Sequence, residues 1–353
     1  MSAFAGRVTR WQERHGRRGL PWQGTREPYR VWLSEIMLQQ TQVSAAIPYY
    51  LRFLERFPDV AALAAAPPGD VLEAWAGLGY YARARNLHRC ARTVVADFAG
   101  RFPADIEKLA ALPGIGRSTA AAIGVFAFGI RAAILDGNVK RVLARHFGVE
   151  GYPGRAEVER ALWRLAESLL PHKRVETYTQ GLMDLGATVC TRANPKCDEC
   201  PLRADCVARR EARQAELPAP RPARALPERE TRVLALIHAR RVLLERRPPA
   251  GLWGGLLTLP ELGSETPAAF ARRNGLRLGR ARELPPLRHA FSHFRLTLRP
   301  WLCPVEAAMP RAEEPGREWL PLDSIEAAAL PTPIRRILEA VRLTTENTEK
   351  NKE

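Results

Sequence analysis

Leu112-Pro113-Gly114-Ile115-Gly116-Arg117-Ser118-Thr119-Ala120 is the stretch on which the reading of this chain turns. Two glycines flank one apolar residue between two helical stretches. Glycine permits a tight turn and a close approach of backbone to ligand. The helix opening after the second glycine begins with N–H groups that have no partner within the helix, which makes it a ready anion site. A DNA phosphate fits there. A bare Gly-x-Gly would be an ordinary helix connection; the full Leu-Pro-Gly-Ile-Gly-Arg string is more specific. A hairpin of this type holds a nucleic-acid backbone in register and reads no base sequence.

About twenty residues downstream stands Ile134-Leu135-Asp136-Gly137-Asn138-Val139. An Asp before Gly is ordinarily a turn former or a helix cap. Upstream, Glu35 is embedded in Trp32-Leu33-Ser34-Glu35-Ile36-Met37-Leu38-Gln39-Gln40-Thr41. A Glu on a mostly apolar helix is costly unless it is paired or neutral. It reads either as the helix's polar edge or as an acid shielded from water, whose raised pKa suits general-acid chemistry near neutral pH.

The wider chain has 353 residues, with 46% hydrophobic and 26% charged side chains, the balance of a folded protein of about two domains. The longest helix-like apolar stretch, between Arg117 and Arg131, is 13 residues, short of the roughly 18–20 that a membrane helix needs. Lys and Arg number 54 against 38 Asp and Glu, a net charge of +16, which points to a polyanionic partner. Residues 1–22 are Arg-rich, yet Trp11 and Leu20-Pro21-Trp22 read as folded structure rather than a targeting segment.

Helical spacing marks Tyr29 to Phe57, Ala82 to Phe98, Arg155 to Leu170 and Val175 to Leu185, with Gly and Pro between them. Cys190, Cys197, Cys200 and Cys206 then cluster as C-x6-C-x2-C-x5-C, while Cys90 and Cys303 stand alone as core thiols. The cluster reads as metal binding rather than disulfides, and on ligand count zinc and an iron–sulfur cluster fit equally. Pro218, Pro220, Pro222 and Pro227 mark a linker. Beyond it, short apolar runs at Arg232–His238, Val242–Arg246, Leu256–Pro260 and Phe294–Val305, with helices at Pro267–Asn274 and Pro333–Leu343, describe a small α+β domain. The expected divisions are 1–188 helical, 189–207 cysteine loop, 208–230 linker, 231–343 second domain and 344–353 a disordered tail.

The strings Leu20-Pro21-Trp22, Trp32 to Val43, Gly77 to Asn86, Leu112 to Ala120 and Leu135 to Arg141 together resemble the adenine DNA glycosylases of the MutY family. The likeness runs from Leu20 to about Leu343. It implies a mainly α helix–hairpin–helix glycosylase domain with a [4Fe–4S] cluster loop, followed by an α+β Nudix-like domain that recognises 8-oxoguanine. The implied reaction removes adenine mispaired with 8-oxoguanine or guanine from double-stranded DNA. Such chemistry uses an acid together with a stabilising carboxylate. Glu35 is then the acid at adenine N7, Asp136 stabilises the oxocarbenium-like sugar, and Asn138 orients Asp136. Trp22 and Gln180 match the pocket for the extruded base, because the glycosidic bond is out of reach inside the stack. Gln40, Thr41, Leu78 and Tyr80 match residues that wedge into the duplex and contact the oxidised guanine. Leu112, Gly114 and Gly116 match the phosphate-holding hairpin. The uneven cysteine spacing resembles the family's cluster loop, so Cys190, Cys197, Cys200 and Cys206 become its ligands, with Arg192 and Lys196 near phosphates. Bacterial members of the family work in the cytoplasm as monomers.

Relatives that also cut the strand carry Lys two residues after the second hairpin glycine; here that position is Ser118, which implies a monofunctional glycosylase. Lys140 lies nearby in sequence and is a source of incidental adducts. Gly251-Leu252-Trp253-Gly254-Gly255 and Phe291-Ser292-His293-Phe294 resemble the recognition domain, with Phe291, Ser292 and His293 as the loop that checks the oxidised guanine. The acidic helix of Nudix hydrolases has no counterpart around Pro267 to Asn274, so pyrophosphatase activity is not expected. Two other readings compete: an endonuclease III-like glycosylase/lyase acting on oxidised pyrimidines, and a non-catalytic DNA-binding iron–sulfur protein. Ser118 and the second domain count against the former, the two carboxylates in their strings against the latter. The charge predicts that affinity for duplex DNA falls steeply between 50 and 200 mM salt, by about a hundredfold or more if several phosphates are neutralised; fluorescence anisotropy titrations at those two concentrations would expose a salt-insensitive interaction.

Overall fold

The computed structural model describes residues 3–222, 225–249, 251–291, 293–308, 316–326 and 328–350. The chain divides into two units. Met1–Ala65 with Asn86–Ala223 form one; Ala66–Arg85 with Arg224–Glu353 form the other. No helix among the described residues is long and apolar enough to cross a membrane.

The first unit is helical. Its elements begin with α1 (Ala3–His15), α2 (Pro28–Leu38), α3 (Val43–Arg56) and α4 (Val60–Ala65). The next helix, α5 (Pro68–Ala74), belongs to the second unit, and α6 (Ala82–Phe98) runs across the division. Then follow α7 (Ile106–Ala111), α8 (Arg117–Phe128), α9 (Gly137–Phe147), α10 (Ala156–Ser168), α11 (Val175–Thr188) and the short α12 (Val207–Arg210). The periodicity from Tyr29 to Phe57 suggests one helix, but the structure has two. Gln39 ends α2 in an extended conformation and Gln40 sits at φ 57°, which breaks the hydrogen-bond ladder. The polar run Gln39-Gln40-Thr41-Gln42 has no apolar side chain to hold the helix against a core.

α2 buries Val31, Trp32, Leu33, Ile36 and Met37, so it is apolar almost all round and lies inside the unit. Glu27 caps its start by accepting from the N–H groups of Tyr29 and Arg30. A second cluster joins Phe4 and Val8 of α1, Val139, Val142 and Leu143 of α9, Leu162 of α10, and Tyr178, Leu182 and Leu185 of α11. The approach of α11 to α9 is set by Gly186: a Cβ there would lie 2.5 Å from Asn138 Cβ and 3.0 Å from the Asn138 Cα and carbonyl oxygen.

The second unit is built on a mixed sheet. Its strands are β1 (Glu228–His238), β2 (Arg241–Arg246), β3 (Leu257–Thr258), β4 (Leu276–Leu278), β5 (Arg282–Glu283), β6 (Leu287–Ala290), β7 (Arg295–Ala308) and β8 (Arg317–Pro321). The central order is β3-β2-β1-β7-β4, with β5 and β6 also on β7 and β8 on β2. β1 and β7 run parallel, in register from Glu228 opposite Arg295 to Ile237 opposite Pro304. Alternate residues of β1 serve two cores. Val233 and Ala235 join a cluster with Ile334, Ile337, Leu338 and Val341 of α14 (Thr332–Lys350). Leu234 and Leu236 join one with Phe270 and Ala271 of α13 (Pro267–Arg273). Covering both faces explains why the strand reads as a continuous apolar run rather than an alternating one.

α14 continues to Lys350, past Leu343, where the tail was expected to lose structure. Thr344 Oγ1 donates to the Ala340 carbonyl at 2.8 Å, and no Pro or Gly interrupts the following residues. α5 and the turn after it also belong here. The Arg85 guanidinium donates to the Gly254 carbonyl at 2.9 Å, and the Tyr81 hydroxyl to that of Leu330 at 3.2 Å.

In Gly186→Ala, the helix-propensity gain of about 1 kcal/mol opposes an overpacking cost of about 1–3 kcal/mol. Because the obstructing atoms include backbone, the cost wins, and the urea midpoint falls. An unchanged midpoint would contradict the close approach.

Candidate active site

α2 and α9 bring two carboxylates into one neighbourhood. Glu35, half-buried in the middle of α2, lines a cleft of about 380 Å³. Trp22 and Gln180 line the same cleft, so three residues expected to act together are together. The Trp22 ring stands edge-on to Tyr50 at 5.3 Å, which braces one wall.

Asp136 is the N-cap of α9. Its Oδ1 accepts from the Val139 N–H at 2.7 Å. The Arg141 Nη2 donates to Asn138 Oδ1 at 2.8 Å and to the Gly186 carbonyl at 2.6 Å. With its oxygen so held, the Asn138 amide turns its N–H toward Asp136, and its side chain and backbone both hydrogen-bond to that carboxyl. Asn138 thus sits where a residue that orients Asp136 is needed.

The two acids have different electrostatics. Burial pushes Glu35 up to about 8, and the negative charge of Asp136 adds to the shift. Burial also raises Asp136, but the Val139 and Asn138 hydrogen bonds and the charge of Arg141 favour its ionised form. One helix therefore presents an acid that keeps its proton up to about 8, and the other a carboxyl whose charged form burial disfavours and a helix N-terminus favours.

The Leu112 to Gly116 string forms the turn between α7 and α8. Gly114 has φ 78°, and a Cβ there would meet Asn86 Cβ at 2.7 Å. Leu112 and Ile115 are buried, while Gly114 and Gly116 are exposed. Arg117 is not left for a phosphate: its guanidinium lies 3.9 Å over the Trp163 ring and pairs with Glu167. Ser118 Oγ accepts from the Leu135 N–H at 3.0 Å, tying α8 to the segment that delivers Asp136. Lys140 is paired with Glu159 at 2.6 Å.

The four cysteines share a loop held to α9 by arginines. Arg145 is buried, and its guanidinium donates to Cys190 Sγ at 3.4 Å and to the carbonyls of Thr191, Arg192 and Leu217 at 2.7, 3.0 and 2.8 Å. Arg141 Nε donates to the Cys190 carbonyl at 2.7 Å. All four thiols line one small cavity, and burial together with the neighbouring sulfurs raises Cys200 and Cys206. No group of three or more metal-binding side chains among the described residues closes on a single ion position. Sulfur-only donors around a cavity with a buried guanidinium against one of them nonetheless suit an anionic iron–sulfur cluster. Arg192 and Lys196 are exposed on the outside of this loop.

The remaining expected residues are dispersed. Exposed Gln40 and half-buried Thr41 follow α2 in the first unit. Leu78 and Tyr80 lie in the second, Leu78 buried and Tyr80 53% exposed at φ 51°. Arg83 secures that turn, donating to the carbonyls of Leu78 and Gly79 at 3.3 and 3.2 Å, beneath Tyr80. Phe291 stacks on Phe294 at 4.5 Å between β6 and β7, next to exposed His293; Ser292 lies outside the described residues. Sequence reading missed Gln12, Arg17 and Asp184, which meet at the cleft. The available signal was an Asp four residues after Gln180, which puts the two side chains on one helix face.

A family model described as HhH-GPD superfamily base excision DNA repair protein matches residues 33–168, and a NUDIX domain model matches residues 232–340. Fold and site thus define a base-excision DNA glycosylase of the helix–hairpin–helix class. The adenine DNA glycosylase of Buchnera aphidicola subsp. Acyrthosiphon pisum is 34% identical over 338 residues, 95% of this chain and 97% of that protein. That of Homo sapiens is 32% identical over 402 residues, 96% of this chain and 73% of that one. The chain belongs to the adenine DNA glycosylase family. Among solved structures, a thermostable thymine-DNA glycosylase is 32% identical and covers 59% of this chain and 95% of its own, with a TM-score of 0.54.

The raised Glu35 has a consequence for stability. The folded state favours the protonated acid, so the fold loses stability as pH rises from 4.5, the ordinary value, through about 8. Glu35→Gln removes that loss. The variant is expected to gain more over the wild type at pH 8.5 than at pH 5 in denaturant titrations; equal gains would show that Glu35 is not shielded.

Proposed function

We propose that this chain hydrolytically removes adenine mispaired with 8-oxoguanine or guanine, as a monofunctional enzyme with Glu35 as general acid and Asp136 as the sugar-stabilising carboxylate. The observation that carries the reading is the pair itself: an acid that holds its proton in a cleft, near a carboxyl whose charged form is met by hydrogen-bond donors at a helix N-terminus. In this reading the extruded adenine enters between Trp22 and Gln180. Glu35 delivers its proton to N7, the C1′–N9 bond breaks and its electron pair leaves with the base. Asp136, oriented by Asn138, offsets the positive charge that develops on the sugar, and water then bonds to C1′ and gives its proton to the Glu35 carboxylate.

The hairpin of Leu112, Gly114 and Gly116 grips a phosphate through backbone N–H groups, while Gln40, Thr41, Leu78 and Tyr80 engage the duplex and the oxidised guanine. Exposed Tyr80, propped by Arg83, suits insertion between bases. Residues 231–343 form the 8-oxoguanine check, with Phe291, Ser292 and His293 as the string that makes it and Phe291 and His293 between β6 and β7. Cys190, Cys197, Cys200 and Cys206 would hold a [4Fe–4S] cluster, which when bound would cross-link the loop of 189–207 and keep Arg192 and Lys196 presented to DNA. The enzyme acts as a cytoplasmic, nucleoid-associated monomer. Ser118, occupied by the Leu135 N–H, offers no amine for a Schiff base.

The decisive experiment is single-turnover base release from a duplex with one adenine opposite 8-oxoguanine, comparing wild type with Glu35→Gln. Wild type is expected to release adenine, with strand cleavage only after hot alkali and little borohydride-trapped adduct. Glu35→Gln is expected to be slower by about a hundredfold or more. Strand cleavage without alkali, with strong trapping, would turn the assignment toward a glycosylase/lyase; no release by the folded wild type would sink it.

A further inference from the structure

Beneath the cleft lies a carboxylate that the reaction does not use. Asp184 on α11 is fully buried. Its Oδ1 accepts from Gln180 Nε2 at 2.9 Å and Arg17 Nε at 2.8 Å, with Arg17 Nη2 at 2.6 Å. Its Oδ2 accepts from Gln12 Nε2 at 3.0 Å and the Arg17 backbone N–H at 2.8 Å. Gln12, Arg17 and Gln180 all line the cleft. The loop that carries Trp22 hangs from the same point: Gln23 Nε2 donates to the Arg17 carbonyl at 3.1 Å and Gln23 Oε1 accepts from the Leu20 N–H at 3.2 Å.

An ionised carboxylate only accepts hydrogen bonds. Both glutamine amides must therefore turn their NH2 ends to Asp184 and their oxygens away from it. The orientation follows from the chemistry of the partner, not from telling nitrogen from oxygen. Gln12 is about nine-tenths buried, and its Oε1 has no hydrogen-bond partner. A buried acceptor without a donor is costly unless a ligand supplies one.

We propose that Asp184 is a positioning residue that sets the hydrogen-bond polarity of the base pocket, fixing the Gln12 and Gln180 oxygens as acceptors so that the pocket selects a purine with a 6-amino group over one with a 6-oxo group. The inference rests on the adenine-removal reading and extends it to the origin of base selection. The amine of an extruded adenine donates to these oxygens. A 6-oxo purine sets its own lone pairs against them, and neither amide can rotate to help without losing its bond to Asp184. A pocket built around polar pairing rejects the analogue that lacks the partner far more strongly than an apolar slot does.

The test compares duplexes carrying adenine, hypoxanthine or unsubstituted purine opposite 8-oxoguanine, in single turnovers, with wild type, Asp184→Asn and Gln12→Met. Asn at 184 offers an N–H in place of one acceptor, which lets one glutamine reverse. The adenine-to-hypoxanthine rate ratio is expected to drop by about tenfold or more in Asp184→Asn, while the hypoxanthine-to-purine ratio rises. Equal losses on all three bases would mark Asp184 as merely structural and overturn the proposal. Should Asp184→Asn fail to fold, Gln12→Met keeps the Asp184 bonds to Arg17 and Gln180 and removes one acceptor. Its adenine-to-hypoxanthine ratio is expected to fall, and an unchanged ratio overturns the proposal. Wild type that releases none of the three bases would instead remove the underlying reading of the activity.

Discussion

The arrangement depends on keeping two carboxylic acids out of bulk water in one helical unit without letting both ionise freely. Burying an ionised carboxylate is expensive unless donors replace its hydration. Asp136 has such donors because it caps α9, with the Val139 and Asn138 groups aimed at it. Glu35 sits mid-helix on apolar α2, where its own backbone offers no N–H, and it meets the charge of Asp136. The same desolvation that costs stability holds the proton on Glu35, while the donors at the start of α9 oppose its effect on Asp136.

α9 carries this logic beyond its N-terminus. Three of its side chains in successive turns do linked jobs: Asn138 meets Asp136, Arg141 holds Asn138 and reaches the Cys190 carbonyl, and Arg145 gathers the cysteine loop. The spacing of three to four residues puts them along one face. Opposite, Gly186 leaves room for Asn138, so a missing side chain on α11 is as much a part of the site as the groups that fill it. The loop of four thiols and the Asp136 cap are thereby mounted on a single rigid element, a requirement for any site whose geometry must be held closely.

Much of this architecture was legible in the chain. The apolar run of β1 belongs to a strand covered on both faces, and the hairpin string is a turn between α7 and α8, as Pro and Gly at those positions demand. Two expectations of local form failed for local reasons. Helical periodicity ran through Gln39–Gln42 because periodicity does not register a polar gap of four residues, whereas the backbone turns there at Gln40. The closing helix outran its apolar residues, because no Pro, Gly or left-handed residue stops it and Thr344 Oγ1 donates back to the Ala340 carbonyl.

What the sequence determined by itself was identity and inventory: which acids, amides and thiols exist, and which strings carry them. Short strings suffice because caps, turns and helical faces are set by neighbours within about four residues. Tertiary structure alone decided how those groups behave. Glu35 is an acid rather than a polar-edge Glu only because α2 is enclosed and Asp136 arrives from another helix. Asp184 gives no sign in its own string that it faces Gln12 and Arg17, 172 and 167 residues distant. Desolvation and long-range hydrogen bonding are properties of what surrounds a residue in space, and spacing along the chain does not encode them.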